Sequence, residues 1–239
     1  LFTFVVFLWV VIQTMPCSAQ PCVRPPAGLV SWWRAEGDAT DTAGIHHGNF
    51  SGGLSFVAGQ VGQAFGFDGV DDQIVVSNSP ALSFGAGQDF SIEAWVQPEV
   101  STTSFDVMTV VDSRNAPDTS HGIGYEVALI GGKLECRISD SLANAGTTFG
   151  TAGPDLRDGN FHHVAVTIDR DSTNGGHYFV DGVAVLTFNP TVEPGNLASG
   201  QPLRIGVHPT PTVFANFKGR MDELSIYSRA LPVAEVQAI

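Results

Sequence analysis

The sequence predicts an all-β fold, a two-sheet antiparallel sandwich of the jelly-roll type. Short runs in which apolar and polar residues alternate recur from residue 28 onward. Glycines and prolines, 27 and 14 of the 239 residues, separate these runs without a regular period. The one helical pattern is the segment 232–239, which begins with a proline. No repeat or break in composition marks a second domain, so one domain is predicted over residues 28–239.

The clearest strand is the segment 90–97, in which Phe90, Ile92, Ala94 and Val96 alternate with polar residues and a tryptophan. Farther along, the Asp181-Gly182 pair lies between two apolar runs. This pattern predicts a hairpin with a type I′ turn, in which both central residues have positive φ. Further strands are predicted, in chain order, over 29–34, 63–67, 73–76, 107–112, 123–130, 134–138, 164–168, 203–207 and 221–227.

The composition excludes several classes of protein. Eleven Lys and Arg residues stand against 24 Asp and Glu residues, which gives a formal net charge of −13. Nucleic acid and anionic membranes would therefore meet like charge, so neither is an expected partner. Charged residues make up only 15% of the chain and apolar residues 43%, which argues against intrinsic disorder.

The first residues are expected to be a targeting segment rather than part of the fold. Residues 1–12 form a nearly uninterrupted apolar run, shorter than the roughly 20 residues of a membrane-spanning helix. Pro16 and small residues follow, which is typical of a secretory signal peptide. We predict a signal peptide over 1–19, cleaved after Ala19, and a proline-rich lead over 20–27. The mature protein would then be exported without a membrane span. The alternative is a buried N-terminal strand.

Two cysteines remain after the predicted cleavage. Cys136 alternates with polar neighbours and is expected to pack as a small core hydrophobe. Cys22 lies in the proline-rich lead. Export would permit a disulfide, but the spacing does not identify a partner for Cys22.

Six blocks of the sequence, in order, resemble laminin G-like (LamG-like) jelly-roll domains. They are GLVSWW at 28–33, the acidic and glycine-rich segment 36–48, FVAGQVGQAFGFDGVDD at 56–72, FSIEAWV at 90–96, the pair HHVAV and YFVDGV at 162–183, and FKGRMDELSIY with RAL at 217–231. The chain is similar to this family over residues 28–239. The resemblance implies the concanavalin A-like lectin and glucanase group, with two antiparallel sheets of six or seven strands, and a secreted module.

Asp222 is the main candidate for a metal ligand. Simple alternation places Asp222 on the same face as Leu224 and Ile226, which should face the core. A carboxylate there is costly unless something compensates it. Calcium takes six to eight oxygen ligands, and the loop 38–48 could supply further oxygens. The alternatives are hydrogen bonds from backbone amides to Asp222, or an ion pair with Arg220 or Arg34.

The resemblance points to calcium as well, since many LamG-like domains hold a structural Ca²⁺ between this loop and the closing strand. It implies that Asp41 and Asp222 supply side chains, and that the backbone of 44–48, including Gly48, supplies carbonyls. Ile45 and His46 stand where the family usually has Asn or Gly.

Other polar motifs favour structural roles. The acidic segment 68–72, with its central glycine, is expected to form a turn between strands. The segment 169–175 imitates the start of an EF-hand loop, but lacks the later acidic ligand and is expected to be a hairpin loop. The pairs His46-His47 and His162-His163 lack the spacing of a zinc site.

The tryptophans Trp32, Trp33 and Trp95 could be platforms for stacking sugars, but core packing or sheet cover is the favoured interpretation. Enzymes of the wider fold group carry carboxylates that alternate along one strand. Glu93 stands alone in its strand, and the adjacent Asp222 and Glu223 are expected to point in opposite directions.

We therefore expect a secreted, non-catalytic binding or adhesion module with a structural calcium ion. Its expected partner is a glycan or an extracellular protein, and the module is expected to belong to a larger multidomain chain. On such scaffolds binding is carried by loops, here those over 98–106, 113–122, 139–160 and 207–216. The alternatives are a glycoside hydrolase or lyase of the same sandwich fold, and a spacer domain without a ligand.

Overall fold

The computed structural model describes residues 25–101, 106–115, 122–141, 146–210 and 215–239. The predicted signal peptide and Cys22 lie outside these ranges and stay predictions. Within the described ranges, no helix is long and apolar enough to cross a membrane.

The described chain forms fifteen strands, two short 3-10 turns at Pro80–Leu82 and Pro190–Val192, and one short helix, α1, at Val233–Val236. The strands are β1 Leu29–Trp33, β2 Gly48–Ser51, β3 Ser55–Ala58, β4 Gln63–Asp68, β5 Gln73–Val76, β6 Phe90–Pro98, β7 Val107–Asp112, β8 Gly124–Ile130, β9 Lys133–Ser139, β10 Thr147–Thr148, β11 His162–Ile168, β12 Gly176–Val180, β13 Val183–Phe188, β14 Leu203–Ile205 and β15 Lys218–Tyr227.

These strands form two antiparallel sheets, which confirms the predicted sandwich. The eight-stranded sheet has the order β13-β12-β11-β6-β15-β4-β3, with β1 also paired to β15. The seven-stranded sheet has the order β10-β9-β8-β7-β14-β5-β2. The first and last strands of the domain are thus neighbours in the middle of one sheet.

The core lies between the two sheets and follows the predicted alternation. In β6, Phe90, Ile92, Ala94 and Val96 are all buried in the central apolar cluster. The ring of Phe90 stacks on that of Phe84, with centroids 4.2 Å apart. Each such phenylalanine contributes about 1.5–3 kcal/mol through burial. Cys136 is fully buried in the same cluster, as expected for a small core hydrophobe.

The predicted turns are confirmed. Asp181 and Gly182 have φ values of 49° and 73°, the positive pair that a type I′ hairpin requires. The segment 68–72 connects β4 to β5, and 169–175 connects β11 to β12. Each predicted loop therefore joins two paired or sequential strands.

A β-bulge in β15 changes which side chains face the core. Asp222 pairs with Trp95 on β6, and the register then shifts before the pairing resumes. Glu223, at the shift, has a φ of 52°. Asp222 and Glu223 consequently both lie on the outer side of the sheet, while Leu224 and Ile226 enter the core. The prediction that Asp222 shares a face with Leu224 was wrong, as was the prediction that the two acids point in opposite directions. Both assumed unbroken alternation, and the extra residue interrupts it.

Candidate functional site

A pocket of about 340 Å³ opens on the outer face of the eight-stranded sheet. We call it the aromatic pocket and define it by the side chains that give it its chemistry: Trp32, Arg34, Glu93, Trp95, Glu223 and Tyr227. Its volume is near the lower end of the roughly 300–1,000 Å³ range of small-molecule sites.

Three adjacent strands build this pocket. Outward positions of β6 supply Glu93 and Trp95, and β15 supplies Tyr227. On β1, Trp32 turns outward, whereas the next residue, Trp33, is fully buried in the core. Of the tryptophans weighed as platforms, Trp33 is therefore a core residue, and Trp32 and Trp95 are half-buried walls of the pocket.

Glu223 is held at one side of the pocket and is only 9% exposed. Its Oε2 accepts a hydrogen bond from the indole Nε1 of Trp32. Its Oε1 lies 3.7 Å from Nε of Arg34, and the guanidinium of Arg34 lies 5.1 Å from the centroid of the Trp32 ring. Burial raises the pKa of Glu223 to about 7, and the negative charges of Asp222 and Glu93 add to this, against the Trp32 hydrogen bond and Arg34.

Glu93 forms the floor of the pocket, and each of its two carboxylate oxygens contacts a protein side chain. It is 2% exposed. Its Oε2 lies 3.0 Å from Nε2 of His163, and its Oε1 accepts from the hydroxyl of Tyr227 at 3.5 Å. The His163 ring also packs against Trp95, with centroids 5.3 Å apart. The pocket floor is thus rigid and offers carboxylate acceptors beside aromatic faces.

A second polar cluster lies on the seven-stranded sheet and is closed to ligands by its own ion pairs. Nη2 of Arg114 is 2.6 Å from Asp112 and 2.9 Å from Glu126, and all three residues are at most 8% exposed. Burial raises the pKa of Glu126 to about 8, Asp112 adds to this and Arg114 opposes it. His208 offers a nitrogen within 4.8 Å of both acids. Because the guanidinium already occupies both carboxylates, a metal ion would have to displace it.

Sequence reasoning missed both the Glu93–His163 contact and the Arg114 cluster. The residues involved lie on different strands, and no motif joins them. The available signal was the presence of charged residues inside otherwise apolar strand runs, namely Glu93, Asp112 and Glu126.

Asp41, predicted as a calcium ligand, is 3% exposed and holds its own loop together through hydrogen bonds. Its two oxygens accept hydrogen bonds of 2.9–3.1 Å from four backbone N–H groups, those of Trp32, Ala43, Gly44 and His46. Burial alone would raise the pKa of Asp41, but these hydrogen bonds outweigh it and lower the pKa. Because four N–H donors already point at this carboxylate, Asp41 is better suited to organising its own backbone loop than to binding a cation.

Asp222 lies against a different segment and is fully buried. Its Oδ2 accepts from the backbone N–H of Val61 at 2.9 Å, while its Oδ1 has no hydrogen-bond partner among the described residues. Gly48 donates its N–H to the carbonyl of Ala39 at 2.8 Å, at the start of β2. No hydrogen bond in the described ranges joins Asp41, Asp222 and Gly48. Asp222 therefore fits a metal through its free oxygen, and the three-residue calcium set stays a prediction.

The histidines have local partners. The two ring nitrogens of His46 lie 2.8 Å and 2.9 Å from the hydroxyls of Ser31 and Ser79. His162 lies between Asp158 and Asp181, at 3.1 Å and 2.8 Å. Among the described residues, the groups of three or more close ligand atoms include neither histidine pair.

The comparisons with known proteins agree with this architecture. The model of a laminin G family, described as the concanavalin A-like lectin/glucanases superfamily, matches residues 68–237. No curated protein matches the sequence.

Three solved structures illustrate the fold. The binding domain of Paraclostridial Mosquitocidal Protein 1 has a TM-score of 0.66 at 17% identity, covering 88% of this chain and 51% of that one. Domain 4 of AbnA, a GH43 extracellular arabinanase from Geobacillus stearothermophilus, in complex with arabinotriose, has a TM-score of 0.63 at 19% identity, covering 88% and 97%. The binding domain of botulinum neurotoxin DC, in complex with rat synaptotagmin II, has a TM-score of 0.66 at 14% identity, covering 88% and 50%.

The chain thus spans about half the length of the two toxin binding domains and nearly all of the arabinanase domain. At these identities the likeness concerns the fold. Together with the two antiparallel sheets and the family match over most of the chain, it leads to one assignment. The chain belongs to the concanavalin A-like lectin/glucanase superfamily, in its laminin G branch.

Proposed function

We propose that this protein is an exported, non-catalytic module that binds a glycan in the aromatic pocket. The observation that carries the proposal is that Trp32, Trp95 and Tyr227 share one pocket with two fixed carboxylates. Aromatic faces cover the apolar faces of a sugar ring, and carboxylates accept hydrogen bonds from its hydroxyls. Arabinanase domain 4, whose match covers 97% of that domain and 88% of this chain, is described in complex with arabinotriose.

A glycan array, followed by titration calorimetry on the best ligand and on arabinotriose, tests the proposal. Trp95→Ala should weaken binding at least roughly 30-fold, because truncating a central aromatic anchor typically costs about 2 kcal/mol or more. Phe50→Ala is the matched control, since Phe50 is 46% exposed and lies on β2 of the other sheet. Its affinity should equal that of the wild type. Absence of glycan binding by the wild type would overturn the proposal and favour a protein partner.

A hydrolase is the second candidate, because Glu93 and Glu223 line the same pocket and the raised pKa of Glu223 suits a general acid. Binding is favoured over hydrolysis because each oxygen of Glu93 already contacts a protein partner, His163 or Tyr227, and such contacts weaken this carboxylate as a nucleophile or base. Incubation with a panel of polysaccharides should release no reducing ends. Turnover that is lost in Glu223→Gln would establish the hydrolase instead.

A structural calcium ion held by Asp222 is part of the proposal. The buried, unpartnered Oδ1 of Asp222 supports it, and a cation there would satisfy the oxygen. The Tm should fall on addition of a chelator, and this fall should be smaller in Asp222→Asn. A Tm that is unchanged by chelator would remove the calcium ion from the proposal.

A further inference from the structure

We propose that the turn between β4 and β5 binds a divalent cation, with calcium as the best-fitting ion, through Asp68, Asp71 and Asp72. We call it the turn site. It is separate from the proposed glycan pocket and from Asp222, and it does not depend on either.

The first observation is the convergence of three carboxylates. One oxygen from each of the three residues lies within 4.8 Å of the others. Two oxygens on opposite sides of one calcium ion, each at about 2.4 Å, would be about 4.8 Å apart. The spacing therefore allows one ion to contact all three side chains.

The second observation is an unsatisfied oxygen in this group. Asp72 is 3% exposed, and its Oδ2 accepts from the backbone N–H of Asp68 at 2.8 Å. Its Oδ1 is buried and has no hydrogen-bond partner among the described residues. That oxygen lies toward Gly53, and Gly53, Asp68 and Asp72 line the same pocket of about 340 Å³. A buried carboxylate oxygen without a partner is unfavourable, and a bound cation would supply the missing partner.

The neighbouring cations form no ion pair with the turn among the described residues. The side chain of Lys218 lies beside Gly69 and its charge interacts with Asp68, but its Nζ lies 2.6 Å from Glu99. Arg220 donates from Nη1 to the carbonyl of Ala58 at 3.2 Å. The turn thus concentrates negative charge that the described residues leave uncompensated by an ion pair.

The donor set selects among cations. It contains only oxygens, which disfavours zinc, whose usual ligands are nitrogen and sulfur. Magnesium demands a near-ideal octahedron, whereas calcium accepts six to eight oxygens in an irregular arrangement that includes carbonyls and water. Three carboxylates on one short turn match calcium better.

Calorimetric titration of the purified protein with Ca²⁺ tests the proposal, and the Asp222→Asn background separates the turn site from the predicted calcium at Asp222. Asp222→Asn should still bind one calcium ion, and adding Asp71→Asn should weaken this binding at least roughly 10-fold. Asp71 is exposed, so this change should leave folding intact.

Asp38→Asn in the same background is the matched control, since Asp38 is an exposed loop aspartate outside the group of close carboxylates formed by Asp68, Asp71 and Asp72. Its titration curve should match that of Asp222→Asn alone. If folded Asp222→Asn binds no calcium, or if adding Asp71→Asn and Asp72→Asn leaves its affinity unchanged, the turn site is wrong. Neither result would affect the glycan proposal, which is measured on a different ligand.

Discussion

Replacing Glu223 by glutamine should stabilise the fold at alkaline pH and leave it nearly unchanged below pH 4.5. The pKa of Glu223 is raised by burial from its ordinary 4.5 to about 7 in the folded protein. Folding therefore favours the protonated carboxyl. This contribution is fully present below pH 4.5 and is lost as the pH rises through 7. Glutamine resembles the protonated form, can still accept from Trp32, and carries no charge at any pH.

The size of the effect follows from the raised pKa. At roughly 1.36 kcal/mol per pH unit, deprotonating Glu223 costs the folded state about 3 kcal/mol. The pKa of about 7 already includes the opposing attraction of Arg34, whose side chain is 40% exposed and whose Nε lies 3.7 Å from Glu223. Glu223→Gln should thus gain up to about 3 kcal/mol above pH 8. For a chain of this size, that corresponds to a Tm higher by roughly 5–10 °C.

Thermal melts of both proteins between pH 4 and pH 9 measure this difference. Glu126, whose pKa is also raised, titrates in both proteins and cancels in the comparison. Glu99→Gln is the control, because the Glu99 side chain is 51% exposed and lies just beyond β6. Its Tm should parallel that of the wild type across the range. Parallel curves for Glu223→Gln and wild type would refute the assignment of a buried, strained charge to this position.

Two further substitutions test the buried ionic contacts. Asp41→Ala should lower the free energy of unfolding at pH 7 by about 2–4 kcal/mol, since four backbone donors lose their acceptor. The loss should shrink as the pH falls below 3.8. A urea titration measures the loss, and a value below about 0.5 kcal/mol would contradict the role of Asp41 in holding its loop. Arg114→Met should lower the free energy of unfolding by about 3–5 kcal/mol, because it removes the cation that pairs with two buried carboxylates. The matched change Arg34→Met, at a side chain that is 40% exposed, should lower it by less than about 1 kcal/mol. Equal losses in the two variants would contradict this ranking.

Alternation along the chain was enough to predict the sandwich and most of its strands. The pattern of β6 is long and regular, so its inner and outer faces follow directly from the sequence. The Asp181-Gly182 turn was equally readable, because positive φ at two adjacent positions strongly limits the residue types. Such features depend on local chemistry that a single sequence displays.

The candidate site was less accessible to prediction. The bulge at Glu223 adds one residue to β15, and the local pattern of apolar and polar residues does not indicate it. Unbroken alternation through the bulge therefore predicts the wrong face for Asp222. The pairing of Glu93 with His163 and of Arg114 with two acids depends on which strands are neighbours, which the sequence pattern does not specify.

The bulge in β15 makes the length of this strand a determinant of chemistry on both sides of the sheet. Deleting the single residue Glu223 would remove the bulge and restore strict alternation, with Leu224 and Ile226 still facing the core and Ser225 and Tyr227 still facing outward. The pocket would lose a carboxylate while the core kept its side chains. Deleting or inserting one residue in the regular part of β15 would instead turn the residues beyond it to the opposite face, so variation of this pocket is expected to proceed mainly by substitution.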